Sequence, residues 1–388
     1  MTRLYAGGKV ILEDGILENG SVLAVDGIIM EIYSDGAEEL ITDSDIGAFK
    51  IDEVIDAKGL YISPGFIDTH IHGGGGYDVM DADSSGLAEI ARIHRKHGCT
   101  AFLPTTLTAS KEKIQAAVRS VYQLMNSADR QQARILGVHL EGPCFSAKFK
   151  GAQNPKYLAN PSPELFNELD QGLNIIRRIS MAPELEGAFE TAKYFSSKGI
   201  NISIAHSDAD FCCVKEAVKH GFSHITHMYN GMSFISSPDY YCKAGVAEAG
   251  LLFDELTAEI IADGKHMPTE MLQLLYKCKG PDKMLLTTDA TSPTNMPEGN
   301  YELGGLDVLV TDGVAMLADR TSFAGSVATC DRLVRFAYKE CGFKLHEAVK
   351  MASLNHAKII GEDSIIGSIK KGKRADIVLF DDDINIAC

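Results

Sequence analysis

From Ser63 onward the chain alternates short apolar runs with longer amphipathic stretches, and this limits it to folds built from βαβ units. Eight apolar runs fall at about 62–72, 100–106, 134–142, 175–182, 200–206, 223–228, 256–263 and 283–289. Helical patterns lie between them, for instance at 87–97, 111–125, 185–197 and 269–279, and several stop at a glycine such as Gly98, Gly199 or Gly280. Eight parallel strands with intervening helices predict a (β/α)8 barrel of the TIM type, with a doubly wound open sheet as the alternative.

The two ends of the chain read differently. Short β segments at 9–12, 21–25 and 28–32 are punctuated by Asp14-Gly15, Asn19-Gly20 and Asp26-Gly27. After the eighth run come a hairpin (308–310 and 314–317, turning at Asp312-Gly313) and helices at 326–339 and 346–360. A last β segment covers 374–380. The expected organisation is a small β-sandwich domain built from 1–60 and 364–388, flanking a catalytic barrel over 61–363.

Composition excludes several functions. The net charge of −16 argues against nucleic acid or an anionic membrane as partner, and it obliges any anionic substrate to find a local cationic or N–H site. Nine cysteines without a C-x-x-C pair suit reduced thiols better than a disulfide framework or a zinc knuckle. The first residues, Met1 to Gly8, hold no signal-like apolar segment, and no apolar run is long enough to span a bilayer. A soluble, cytoplasmic protein is expected.

The chemistry stands where the apolar runs end, which in such barrels is the catalytic rim. The first run ends in His70-Ile71-His72, two imidazoles on one side of a strand, followed by Gly73 to Gly76. The third ends His139-Leu140-Glu141, the fifth at His206, the sixth at His227. The seventh passes into Asp263-Gly264-Lys265-His266, and the eighth ends at Asp289. Imidazoles with one or two carboxylates suit zinc, iron(II) or a similar divalent ion, which acidifies water. Asp289 is the candidate for moving that water's proton, and His139 is expected lower in the barrel.

These motifs resemble the amidohydrolase superfamily and, within it, the N-acetylglucosamine-6-phosphate deacetylases. The resemblance rests on P-G-F-I-D-T-H-I-H-G from Pro64, H-L-E-G-P at 139–143, A-H-S-D at 205–208 and T-H-M-Y-N at 226–230. A-D-G-K-H at 262–266, T-D-A at 288–290, A-G-S at 324–326 and G-x-I-x-x-G-x-x-A-D at 367–376 extend it. Dihydroorotase-like relatives would carry a carboxylated lysine at the end of the fourth strand, where this chain reads Ile179-Ser180-Met181-Ala182. The resemblance implies Glu141, His206 and His227 as ligands of a principal metal. It implies His70 and His72 as holders of a second ion, with Glu141 bridging, so one or two ions bind per chain. It makes Asp289 the acid–base catalyst and has His266 contact the substrate and polarise its acetyl carbonyl. Ala152, Gln153, Asn230, Gly231, Asp263, Phe323, Ala324 and Gly325 are the remaining expected substrate contacts. A homodimer is implied as well, and the early end of the chain after Asp376 implies a β domain one strand short.

Two positions depart from the family pattern. Gln153 replaces a histidine and Pro238 an arginine, both expected to grip the substrate phosphate, and neither can supply charge. Lys148, Lys150 and Lys243 are the cations left nearby. The expected activity is metal-dependent deacetylation of N-acetylglucosamine 6-phosphate. The alternative is an unphosphorylated or differently substituted N-acyl amino sugar, or an N-acyl amino acid. A non-catalytic relative would have lost ligands or the aspartate, and this chain keeps them all.

Overall fold

The computed structural model describes residues 1–34, 45–46, 49–125, 129, 131–237 and 240–387. Pro238 lies outside the described residues.

Both ends of the chain meet in one six-stranded sheet. Its strands are β1 (Thr2–Ile11), β2 (Ile16–Val25), β3 (Ile28–Tyr33), β4 (Glu53–Asp56), β5 (Tyr61–Pro64) and, from the far end of the chain, Ile377–Phe380. Alternation along the strands makes both faces apolar: Leu4, Ala6 and Leu23 form one small core, and Tyr5, Val10, Val22 and Ala24 belong to another. The run expected over 62–72 is thus two strands. Its first residues join the terminal sheet as β5, and the chain crosses at Gly65 into β6 (Phe66–Ile71).

The parallel part holds β6, β7 (Cys99–Pro104), β8 (Arg134–Ile135), β9 (Val138–Glu141) and β10 (Ile176–Met181), followed by β11 (Asn201–Ile204), β12 (Phe222–Ile225), β13 (Thr257–Ile260) and β14 (Met284–Leu286). One sheet runs β9-β10-β11-β12-β13-β14 and a second runs β8-β7-β6, all parallel. Isolated parallel bridges, Thr105 to His139 and Ile71 to Ala290, link the ends of the two sheets. Each expected apolar run therefore carries a strand. Nearly every residue in these strands is buried, which is why they read as continuous apolar runs.

Between the strands lie amphipathic helices with side-chain caps. Helix α1 (Ser84–Lys96) starts at Asp83, whose carboxylate accepts from the Ser85 and Gly86 amides, and α2 (Lys111–Leu124) starts at Ser110. The expected hairpin is present with its turn at Asp312-Gly313, but it has a third strand, Gly299–Leu303, hidden in the sequence by its glycine and polar residues. The helix expected over 346–360 is two, Leu345–Met351 and Leu354–Ile359. No helix among the described residues is long and apolar enough to cross a membrane.

Candidate metal centre and substrate cavity

The C-terminal ends of β6, β9, β11 and β12 bring four imidazoles onto one carboxylate. Glu141 Oε1 stands 3.2 Å from His227 Nε2 and 3.5 Å from both His206 Nε2 and His70 Nε2, while Oε2 is 3.3 Å from His72 Nε2. Two triads result, His70–His72–Glu141 and Glu141–His206–His227, each with ligand atoms within 4.8 Å of one another. Asp289 completes the cluster, its Oδ1 lying 3.4 Å from His70 Nε2 and 3.2 Å from His72 Nε2.

The outward nitrogen of each ring decides what the inward one can do. His72 Nδ1 meets the Thr105 carbonyl at 3.2 Å, His206 Nδ1 the Phe149 carbonyl at 2.8 Å, and His227 Nδ1 the Asn230 carbonyl at 3.1 Å. His70 Nδ1 meets Glu259 Oε1 at 2.7 Å. Each of these oxygens accepts, so each Nδ1 carries the proton and each Nε2 turns a lone pair inward. His70 and His72 thus point two acceptor nitrogens at each other across 3.1 Å, among carboxylate oxygens. Apart from the Gln153 amide on Glu141 Oε2, these acceptors face one another without a donor; that fits a cation at their centre, and a set of imidazoles and carboxylate fits a divalent metal.

The electrostatics agree. Burial pushes Glu141 upward, yet His70, His206 and His227 overcome it and hold the carboxyl well below its ordinary range. Burial likewise pushes Asp289 upward, and His70 with His72 brings it below the usual aspartate value. Burial disfavours charge on His72, but Asp289 and Glu141 raise it to about 9. Positive charge is thus favoured here, as a proton on His72 Nε2 at neutral pH or as a cation that takes that proton's place and uses the lone pair.

Backbone geometry places several of these groups in the left-handed region, with φ of 46° at His206, 29° at His227 and 49° at Asp289. Such conformations are sparsely populated by non-glycine residues and turn these side chains off their strand ends. The residue behind His206 must be small: at Gly231, with φ +59°, a Cβ would come 2.7 Å from His206 Nδ1. Asp68, two residues before His70, is fully buried and accepts from Thr287 Oγ1, the Thr288 amide, Thr288 Oγ1 and the His70 amide at 2.6–3.0 Å. It ties β6 to the segment that carries Asp289.

A cavity of about 520 Å³ opens from this cluster. Of the expected substrate contacts, Ala152, Gln153, Asn230, Gly231, His266, Phe323 and Gly325 line it. Asp263 and Ala324 stand behind the lining. The Asp263 carboxylate accepts from His266 Nδ1 and from the His266 amide, both at 2.9 Å, and the His266 ring lies 4.5 Å from that of Phe323. Ala324 is buried, its amide bonded to the Ala315 carbonyl. His139 stays outside both triads, between Ser180 and Thr105, as expected of a residue lower in the strands.

Gln153 is placed otherwise than a phosphate-gripping position would be. It is buried, with Nε2 donating to Glu141 Oε2 at 2.8 Å and Oε1 accepting from the Thr108 amide at 2.8 Å. This position therefore touches the ligand cluster itself. Lys148 and Lys150 line the cavity, whereas Lys243 does not. Lys148 is held by Asp208 at 2.9 Å; Lys150 donates to its neighbour's carbonyl, Gly151 O, at 3.3 Å and makes no direct ion pair among the described residues. Sequence reasoning missed Glu259 and Arg178, buried charges inside β13 and β10. The only signal was a charge interrupting each apolar run, Glu259 in one and the Arg177-Arg178 pair in the other.

Comparison with known proteins follows the same direction. A model of the amidohydrolase family matches residues 61–387. An N-acetylglucosamine-6-phosphate deacetylase of Lysinibacillus sphaericus is 37% identical over 384 residues, covering 98% of this chain and 92% of its own. An N-acetylgalactosamine-6-phosphate deacetylase of Escherichia coli O157:H7 is 31% identical over 395 residues, covering 100% and 97%. The crystal structure of an N-acetylglucosamine-6-phosphate deacetylase from Pasteurella multocida superposes with a TM-score of 0.89 at 29% identity, covering 100% of this chain and 97% of that one.

Proposed function

The chain belongs to the amidohydrolase family, and on that premise we propose that it hydrolyses the acetamide C–N bond of an N-acetylated amino sugar 6-phosphate, with N-acetylglucosamine 6-phosphate the first substrate. The observation that carries this is the convergence of four Nε2 lone pairs, Glu141 and Asp289 at the mouth of a sugar-sized cavity. Glu141, His206 and His227 would hold one divalent cation, and His70, His72 and Glu141 a second. When bound, such a cation supplies an acidified water and a Lewis acid for the acetyl carbonyl.

The chain's own groups do the rest. Asp289 Oδ1 accepts the proton of the attacking water and later delivers it to the leaving nitrogen. The C–O bond forms, the C–N bond breaks, and acetate and the free amine depart. His266, oriented by Asp263, contacts the substrate and polarises its carbonyl. Asn230, Gly231, Phe323 and Gly325 line the sugar, and Lys150 is the cation nearest to hand for its phosphate. The finer parts of the reading are zinc or iron(II) as the ion, a closed (β/α)8 barrel over 61–363, a β-sandwich from 1–60 and 364–388, a homodimer and a cytoplasmic setting.

An unphosphorylated sugar or an N-acyl amino acid, suggested by Gln153 and Pro238, is not favoured, since the relatives are named for 6-phosphates. The E. coli relative supports a second reading, the galacto epimer of the same phosphate. Acetate release should be measured from the 6-phosphates of N-acetylglucosamine and N-acetylgalactosamine and from free N-acetylglucosamine, with metal-replete protein. A 6-phosphate preferred over the free sugar by about tenfold or more in kcat/KM is expected. Equal or reversed preference would overturn the phosphate, and no release from any of them would overturn the activity.

A further inference from the structure

We infer that Glu259 is a positioning residue that sets both candidate metal positions at once, and that Arg178 decides which of its oxygens does so. This rests on the metal-dependent reading above. Glu259 on β13 and Arg178 on β10 are fully buried. Glu259 Oε1 accepts from His70 Nδ1 at 2.7 Å and from the backbone N–H of His227 at 3.1 Å. One oxygen therefore serves a ligand in each triad, holding the ring of His70 and the left-handed backbone of His227. Oε2 is occupied by Arg178 Nη1 at 2.5 Å. The guanidinium is itself held by Ser203 Oγ at 3.0 Å and Thr226 Oγ1 at 2.8 Å, with Thr69 Oγ1 at 3.4 Å.

The consequence is a choice of tautomer. An arginine does not lose its proton, so the paired carboxylate stays ionised and can only accept. That keeps the His70 proton on Nδ1 and the Nε2 lone pair on the metal side. In Glu259→Gln the two ends of the side chain are no longer alike. The guanidinium takes the amide oxygen, which turns the NH2 toward His70 Nδ1 and the His227 N–H. His70 must then carry its proton on Nε2, where it cannot ligate. Removing the guanidinium as well, in Arg178→Met/Glu259→Gln, frees the amide oxygen to face His70 again.

The test is zinc binding by equilibrium dialysis with elemental analysis, on chelated and reloaded wild type and both variants, with circular dichroism melts of the metal-free forms. Glu259→Gln should bind zinc about 10–100-fold more weakly, the usual range for a lost partner of a ligating histidine. Arg178→Met/Glu259→Gln should recover most of that loss. Wild-type affinity in Glu259→Gln, or a double variant no better than the single, overturns the inference. If the single variant does not fold, Arg178→Met/Glu259→Gln is compared with Arg178→Met/Glu259→Met. The former should bind zinc about 10–100-fold more tightly, and equal binding overturns the inference. A wild type that binds no zinc, iron(II) or other divalent ion would instead overturn the metal-dependent reading.

Discussion

Asp289 has burial, a left-handed backbone and two imidazole neighbours, so its replacement separates chemistry from binding. Asp289→Asn keeps the shape and removes the proton acceptor. Its kcat should fall by about 10²–10⁴-fold with metal content and melting temperature unchanged; near-wild-type turnover would remove the aspartate from the mechanism. Lys150 tests recognition. Lys150→Met should raise KM for the 6-phosphate by about tenfold, the worth of one charge-assisted hydrogen bond, and leave hydrolysis of the free sugar unaltered. Steady-state kinetics on both substrates decides this, and equal effects on the two would place the phosphate elsewhere. At this scale the sequence was legible for ligand types, because histidines and carboxylates at the ends of apolar runs have few other reasons to be there. It was silent on the contact between Gln153 and Glu141, which depends on a loop folding back over the strand ends.

Elements are joined by buried neutral histidines. On α1, His94 Nε2 donates to the Gly73 carbonyl at 3.0 Å just past the His70–His72 strand, and His356 on the Leu354–Ile359 helix donates from Nε2 to Leu286 O at 2.9 Å. Burial lowers His94 to about 4 and His356 to about 3. The unfolded chain then binds protons near pH 6.5 that the folded chain refuses, so this stability is complete above about pH 6.5 and lost as pH falls. Each such group costs about 1.4 kcal/mol per pH unit below 6.5 until its folded value is reached. His94→Gln can still donate to Gly73 but cannot titrate. Denaturant melts from pH 7 to 4 should show its acid limb shallower by about one proton than the wild type's, and parallel limbs would refute the assignment. Gly325 belongs to the same scale. It has φ +59°, and a Cβ there would sit 2.6 Å from Thr291 Cγ2 and 2.7 Å from the Asp289 carbonyl. Gly325→Ala should lose about 1–3 kcal/mol in thermal melts and lower kcat through displacement of Asp289.

For the whole molecule, the buried acceptors around Glu141 couple any cation bound there to folding stability. A cation that binds only the folded chain adds RT ln(1 + [L]/Kd), about 4 kcal/mol at a thousandfold excess over Kd. Chelation should abolish activity and lower the melting midpoint by several degrees, both reversed by adding metal back. Full activity in metal-free protein would dismiss the proposed chemistry. A net charge of −16 disfavours anions in general, so the proposed phosphate site needs a local cation, and Lys150 lines the cavity without a direct ion pair among the described residues.

The order of strands and helices, the division between terminal β segments and the parallel region, and the candidate ligand residues were all readable along the chain. Those features follow from local periodicity and from residue type at strand ends, which neighbours in the chain suffice to define. The partners of these residues came only with folding. That 62–72 serves two sheets, that Gln153 sits on Glu141 and that Glu259 meets Arg178 and His70 from separate strands all depend on register between distant segments. A buried charge shows in sequence only as an interruption of an apolar run. Its energy, and so its role, is set by the opposite charge that folding brings against it.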